Sequence, residues 1–150
     1  MSPEIHIANG HLAHRARAEM RRMTPTDIPW ALALADDLYG GGIDKKLLAE
    51  WGEAIMAHPS YLAIRSQSAV VIAAAVPEAF DTTVLNARVI YFYGRGIWQV
   101  LALLRIAAAW AKGMGATVLR LEDTTGRDIS GLARRLKARV DPVPVFMMEL

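Results

Sequence analysis

Hydrophobic and polar positions change period several times along this chain, and each change marks an element. Ala18–Met23 reads as a short strand. Thr24-Pro25-Thr26-Asp27 carries the marks of a helix start, with Thr24 as N-cap, Pro25 at the first position and an acid three residues after the cap. Ile28, Leu32, Ala35 and Leu38 follow at helical spacing, and Gly40-Gly41-Gly42 ends that helix. Asp44 caps a second helix that reaches His58, with Leu48, Trp51 and Ile55 on one face and Pro59 closing it. The pattern then shortens to strands. Tyr61–Arg65 and Ala69–Val76 flank Ser66-Gln67-Ser68, which predicts a tight hairpin, and Arg88–Tyr93 is a third strand after a looser connection.

Ile97–Lys112 is apolar nearly all round, with Gln99, Arg105 and Lys112 as its polar positions, the pattern of a central helix packed on a sheet. Gly113-Met114-Gly115 stops it, and Val118–Glu122 reads as another buried strand. A fourth helix over Asp128–Arg139 places Ile129, Leu132, Ala133 and Leu136 inward. Val143–Glu149 ends the pattern as a strand, and Pro142 and Pro144 near its entry suggest an edge or a bulge. Residues 1–16 read as an extension, with a small hairpin around Ala8-Asn9-Gly10, ahead of one domain over residues 17–150.

Composition narrows the class. A chain of 150 residues with 53% hydrophobic and 21% charged positions fits one globular domain. The longest apolar run, Ile97–Ala111, carries Gln99 and Arg105 and falls short of the roughly 18 apolar residues that span a bilayer. His6, Asn9, His11, His14 and several arginines break up any signal-peptide core, so neither a membrane span nor secretion is expected. The absence of cysteine excludes disulfides and thiolate chemistry and suits the cytoplasm. His6, His11 and His14 have no carboxylate or thiol to complete a metal set, so no metal is expected. The net charge is +2, with basic clusters at Arg15/Arg17/Arg21/Arg22 and Arg134/Arg135/Lys137/Arg139. No aromatic residues interleave with them, so they read as solvated faces rather than a nucleic-acid surface.

The chemistry concentrates in Tyr93-Gly94-Arg95-Gly96-Ile97-Trp98, between the third strand and the long helix. A glycine-bearing turn there offers free backbone N–H groups at the positive end of a helix dipole, a site suited to phosphate. Trp98 brings bulk where such a turn favours a small residue.

The element order resembles the GNAT acyltransferase fold over about residues 18–150. Met23-Thr24-Pro25-Thr26-Asp27-Ile28-Pro29 looks like that family's first strand-to-helix junction. Gly94-Arg95-Gly96-Ile97 with Leu101 and Leu104 resembles its pyrophosphate loop and central helix. Ala109-Trp110-Ala111-Lys112-Gly113-Met114-Gly115-Ala116 resembles the helix exit, and Val118-Leu119-Arg120-Leu121-Glu122 the next strand. The resemblance implies an α/β fold whose mixed, mostly antiparallel sheet has helices on both faces. It implies a coenzyme A site at Tyr93, Gly94, Arg95, Gly96, Ile97 and Trp98. The chain departs from the family pattern at both ends of that loop, with Tyr93 in place of Arg or Gln and Trp98 in place of Gly or Ala. Family members also use a carboxylate near the matching strand as base and a tyrosine near the last helix as acid. Here that strand offers Tyr91 and Tyr93, the last helix has no tyrosine, and Glu122 is the nearest base.

Two functions follow as expectations. The first is a GNAT-fold protein with a weakened or lost acyl-CoA site and no cofactor. It would be a structural or binding component of a larger assembly, resembling the eroded GNAT-like proteins of tailed phages and their virions, with residues 1–20 contacting other chains. Trp98 would then be a core residue. The second is an acetyl-CoA-dependent N-acetyltransferase that passes the acetyl group directly to an amine, with Glu122 and Tyr91 as catalytic groups. It expects a V-shaped opening between the strand ending near Tyr93 and the one starting near Val118.

Overall fold

The computed structural model describes residues 20–40, 44–78, 80–122, 127–139 and 148–149. Strand β1 (Arg21–Arg22) leads into a 3-10 turn (Pro25–Asp27), helix α1 (Ile28–Tyr39) and helix α2 (Lys45–Ala57). Strands β2 (Tyr61–Arg65), β3 (Ala69–Pro77) and β4 (Leu85–Gly94) follow. Helix α3 (Ile97–Met114), strand β5 (Leu119–Leu121) and helix α4 (Ser130–Arg135) come next. The five strands lie in chain order, with β1 to β4 antiparallel and β5 parallel to β4.

Local chemistry accounts for most of the boundaries. The Thr24 N–H donates to Asp27 Oδ2 at 2.8 Å, so the expected helix start forms, although its first turn is 3-10 and α1 proper opens at Ile28. Gly40, at φ +75°, ends α1 with its N–H on the Asp36 carbonyl at 2.8 Å. The Asp44 side chain accepts from the Leu47 N–H at 3.0 Å and caps α2. Strand β4 begins at Leu85, earlier than the expected Arg88, because its pairing with β3 continues out to Pro77. Helix α3 runs to Met114, past the expected Lys112, before Gly115 at φ +103° stops it. Strand β5 and helix α4 are shorter than their patterns suggested. The extension over residues 1–16 and its hairpin lie outside the described residues. Of the expected strand Val143–Glu149, only Met148 and Glu149 are described.

Alternation along β3 divides the core. Val71, Ala73 and Ala75 face α3, where Leu101, Leu104, Ala107 and Trp110 are buried against them. Val70 faces the other way, toward Met23, Ala31, Leu34 and Ile55 beneath α1 and α2. Helices therefore cover both faces of a mixed, mostly antiparallel sheet. Between Ile72 and Ala73 the register moves from Tyr91 to Val89, which makes Ile90 an extra residue in β4. This bulge changes the face that each parity addresses: Ala87 and Val89 lie on the α3 side, whereas beyond it Phe92 does. Tyr93 is thereby turned toward α1 and α2. Among the described residues no helix is long and apolar enough to cross a membrane.

Candidate functional site

The turn from β4 into α3 is built by close approach. A side chain starting at Gly94 would meet the Ala69 Cβ at 2.5 Å and the Ser68 carbonyl oxygen at 2.9 Å, so only glycine fits there. The Arg95 N–H donates to the Ser68 carbonyl at 2.9 Å, and Ser68 Oγ lies 3.2 Å from the Arg95 carbonyl. Gln99 completes the clamp. Its Oε1 accepts from Ser68 Oγ at 2.7 Å, from the Ser68 N–H at 3.2 Å and from Ser66 Oγ. Ser66 is buried, and its Oγ also accepts the Ala69 N–H at 3.0 Å. The first turn of α3 is thus tied to the β2–β3 hairpin. Sequence reading treated Gln99 only as a polar interruption. The usable signal was a lone amide near the start of an apolar helix, with a Ser-Gln-Ser hairpin available to it.

Gly96 sits at φ +90°, a left-handed conformation, and among the described residues nothing beyond its chain neighbours lies within 4 Å of where a side chain would begin. Among the described residues no side-chain cap is seen at this end of α3, and no acid occupies its first turn. Amide donors at the positive end of an 18-residue helix are therefore compatible with an anion. Arg95 pairs with Asp37 of α1 across the surface.

Two loop residues take positions that the sequence did not indicate. Trp98 is 69% exposed, with the Arg135 guanidinium 5.6 Å from its ring centroid, so the expectation of a core residue is corrected. The first turn of a helix can present a side chain to core or solvent, and the phase of α3 on the sheet turns this one outward. Tyr93 points to the opposite side of the sheet from α3. Its hydroxyl donates to the Ala31 carbonyl at 3.0 Å and its ring meets Tyr39 edge-on at 6.2 Å. Burial, with a smaller contribution from Tyr39, pushes its pKa up to about 12. The Tyr93 side chain therefore ties β4 to α1 and does not face the loop.

Pairing between β4 and β5 spans Ala87–Val89 and Leu119–Leu121, then stops at the bulge. Beyond it, Ile90–Gly94 have no strand partner on that side among the described residues, as an opening between the two strands requires. The Phe92 carbonyl accepts from Arg127 at 3.0 Å, and that guanidinium lies 4.8 Å from the Phe92 ring centroid and 5.4 Å from that of Tyr39. A cleft of about 610 Å³ runs from this opening between the sheet and α1 and α2. Ile72 and Ile90 line its sheet side, Trp51 and Tyr91 its wall, and Glu122 and Arg127 are among its charged residues. Trp51 and Tyr91 meet edge to face at 5.5 Å. The structure thus brings Tyr91 of β4, 44% exposed, and Glu122, the residue after β5, to one cleft.

No protein-family model matches the sequence, and no curated protein matches it. Solved structures do. An aminoglycoside antibiotic 6'-N-acetyltransferase from Acinetobacter haemolyticus aligns at TM-score 0.69 and 17% identity, over 87% of this chain and 97% of that one. A ribosomal-protein-alanine N-acetyltransferase from Brucella melitensis biovar Abortus 2308 aligns at TM-score 0.66 and 17% identity, covering 88% and 99% of the two chains. An AAC(6')-Iy structure in complex with a CoA-linked acetylneamine bisubstrate analogue aligns at TM-score 0.67 and 15% identity, covering 88% and 97%. At such identities the likeness establishes the architecture, which is the GNAT acyltransferase fold.

Proposed function

We propose that this chain is an acetyl-CoA-dependent N-acyltransferase. The open turn at Gly96 carries the reading: among the described residues outside its chain neighbours, nothing lies within 4 Å of where a Gly96 side chain would begin, and Trp98 is not part of the cleft lining. The residues present fit the cofactor: Gly96 and Ile97 offer backbone amides at the start of α3, and past Val89 β4 has no strand partner on the β5 side among the described residues, its Phe92 carbonyl being held by Arg127. When bound, acetyl-CoA supplies the thioester whose C–S bond breaks as the C–N bond to the amine forms.

This chain's own groups supply binding and proton transfer. Gly94 and the Ser68–Gln99 clamp hold the phosphate-facing turn in place. The Glu122 carboxylate takes the proton of the attacking amine, directly or through a water, and the Tyr91 hydroxyl returns a proton to the departing sulfur. Both groups line the cleft, as general acid–base partners must. The structural or virion role drew on Trp98, on Tyr93, on the missing acid and base, and on the N-terminal extension, which lies outside the described residues. With Trp98 outside the cleft lining and both Glu122 and Tyr91 within it, Trp98 and the missing strand carboxylate no longer argue for a closed site, and the relatives in fold are named as acetyltransferases.

Calorimetric titration with acetyl-CoA tests the proposal. Micromolar binding is expected, and Trp98→Gly should change the affinity by less than about threefold, below 0.7 kcal/mol. Gly96→Asp, which sets an acid and a strained φ at the amides, should weaken binding at least about tenfold. Absence of binding by the unaltered chain, or its appearance only in Trp98→Gly, would return the protein to a non-enzymatic role.

A further inference from the structure

We infer that the acceptor is a primary amine carried on an apolar, ring-bearing body, held in the cleft between the sheet and helices α1 and α2. This rests on the acyl-transfer reading above and names the substrate class of the same site. The cleft, at about 610 Å³, falls within the roughly 300–1,000 Å³ range of small-ligand sites. Its sheet side is aliphatic, with Val70, Ile72 and Ile90. Its walls are aromatic, and Trp51 and Tyr91 already stand edge to face, a geometry that a third ring can extend. At the mouth Leu47 is 60% exposed, an apolar surface that a ligand would cover.

The polar groups of the cleft decide against a sugar. Tyr93 donates its hydroxyl to the Ala31 carbonyl, Asp44 is engaged as the cap of α2, and Arg127 donates to Phe92. A polyhydroxylated ligand would bring many donors and acceptors into this cleft and leave most of them unpaired, at a cost in affinity for each. A single ammonium needs one carboxylate, and Glu122 lines the cleft to receive it. Apolar body and lone amine therefore match the lining in both shape and charge. The acceptors named for several relatives in fold, the aminoglycosides, do not.

The test titrates the whole protein with 2-phenylethylamine and, separately, with kanamycin, following tryptophan fluorescence and heat. Acetyl-CoA titration and turnover with each amine run alongside. Saturable 2-phenylethylamine binding at least about tenfold tighter than kanamycin is expected. Leu47→Ser, at an exposed helix position that tolerates serine, should weaken 2-phenylethylamine about threefold or more, and Glu122→Gln should do so without unfolding the chain. Kanamycin binding as tightly, or no saturable 2-phenylethylamine binding, overturns the inference. If acetyl-CoA binds while kanamycin is preferred, the acceptor class fails and the acyl-transfer reading stands. If 2-phenylethylamine binds while acetyl-CoA does not, the transfer reading fails and the ligand class of the cleft stands.

Discussion

Asp27 shows how much one side chain can hold. Arg21 donates to both of its oxygens, at 2.6 and 2.7 Å, and Arg65 adds a third contact at 2.9 Å while its guanidinium lies 3.3 Å above the Trp30 ring centroid. The carboxylate is buried, yet these bonds, Arg21's first, hold its pKa well below the usual carboxylate range. Asp27→Asn removes the charge and leaves Arg65, itself mostly buried, without its anion; a loss of about 3 kcal/mol in urea unfolding is expected. Gly94 is the second residue on which the site depends. Gly94→Ala forces its new methyl onto the backbone of Ala69 and Ser68, and about 2 kcal/mol of destabilisation is expected, read as a lower Tm. Sequence pattern could propose both positions, one as part of a helix start and one as a turn glycine. It could not show that Asp27 bridges two arginines or that Gly94 touches a neighbouring strand, because both facts are contacts between distant segments.

At the scale of elements, the bulge in β4 and the clamp on α3 place the site. The extra residue Ile90 reverses which side chains face which helix, so Tyr93 braces α1 while Phe92 turns toward α3. Pairing with β5 ends at the same point, and the opening starts there. Gln99 then sets where α3 begins relative to the hairpin. Gln99→Ala would leave Ser66 Oγ, buried, with one partner fewer; a loss of about 1–3 kcal/mol is expected, measured by urea unfolding. If the clamp positions the turn, acetyl-CoA affinity should fall with it, while Arg105→Ala, on an exposed position further along α3, should leave affinity unchanged. The periodicity of α3 announced a central helix, and that reading holds. A bulge leaves no such mark, since adding one residue to a strand disturbs neither its composition nor its length enough to be read.

For the whole molecule, acid should act through Asp27. Because its pKa is lowered on folding, its stabilisation is complete above the unfolded value of about 3.9 and is lost as the pH falls through the lower folded value. The unaltered protein should therefore lose stability steeply below about pH 4. Asp27→Asn should start less stable at pH 7 and show a flatter acid limb, compared by urea midpoints at pH 7 and pH 3.

By itself the sequence determined the described elements and their order, and its resemblance to a known family gave the architecture they form. Caps such as Asp44, stops such as Gly40 and Gly115, and the change from strand to helical period all act within a few residues, so they are legible along the chain. Those signals also found the turn at Gly94–Ile97. Only the tertiary structure decided which way Trp98 and Tyr93 point, and that Tyr91 and Glu122 line one cleft. A side chain's direction depends on the phase of its helix or strand against the sheet. That phase is set by the bulge at Ile90 and by the Ser66–Ser68–Gln99 clamp, which join segments far apart in sequence.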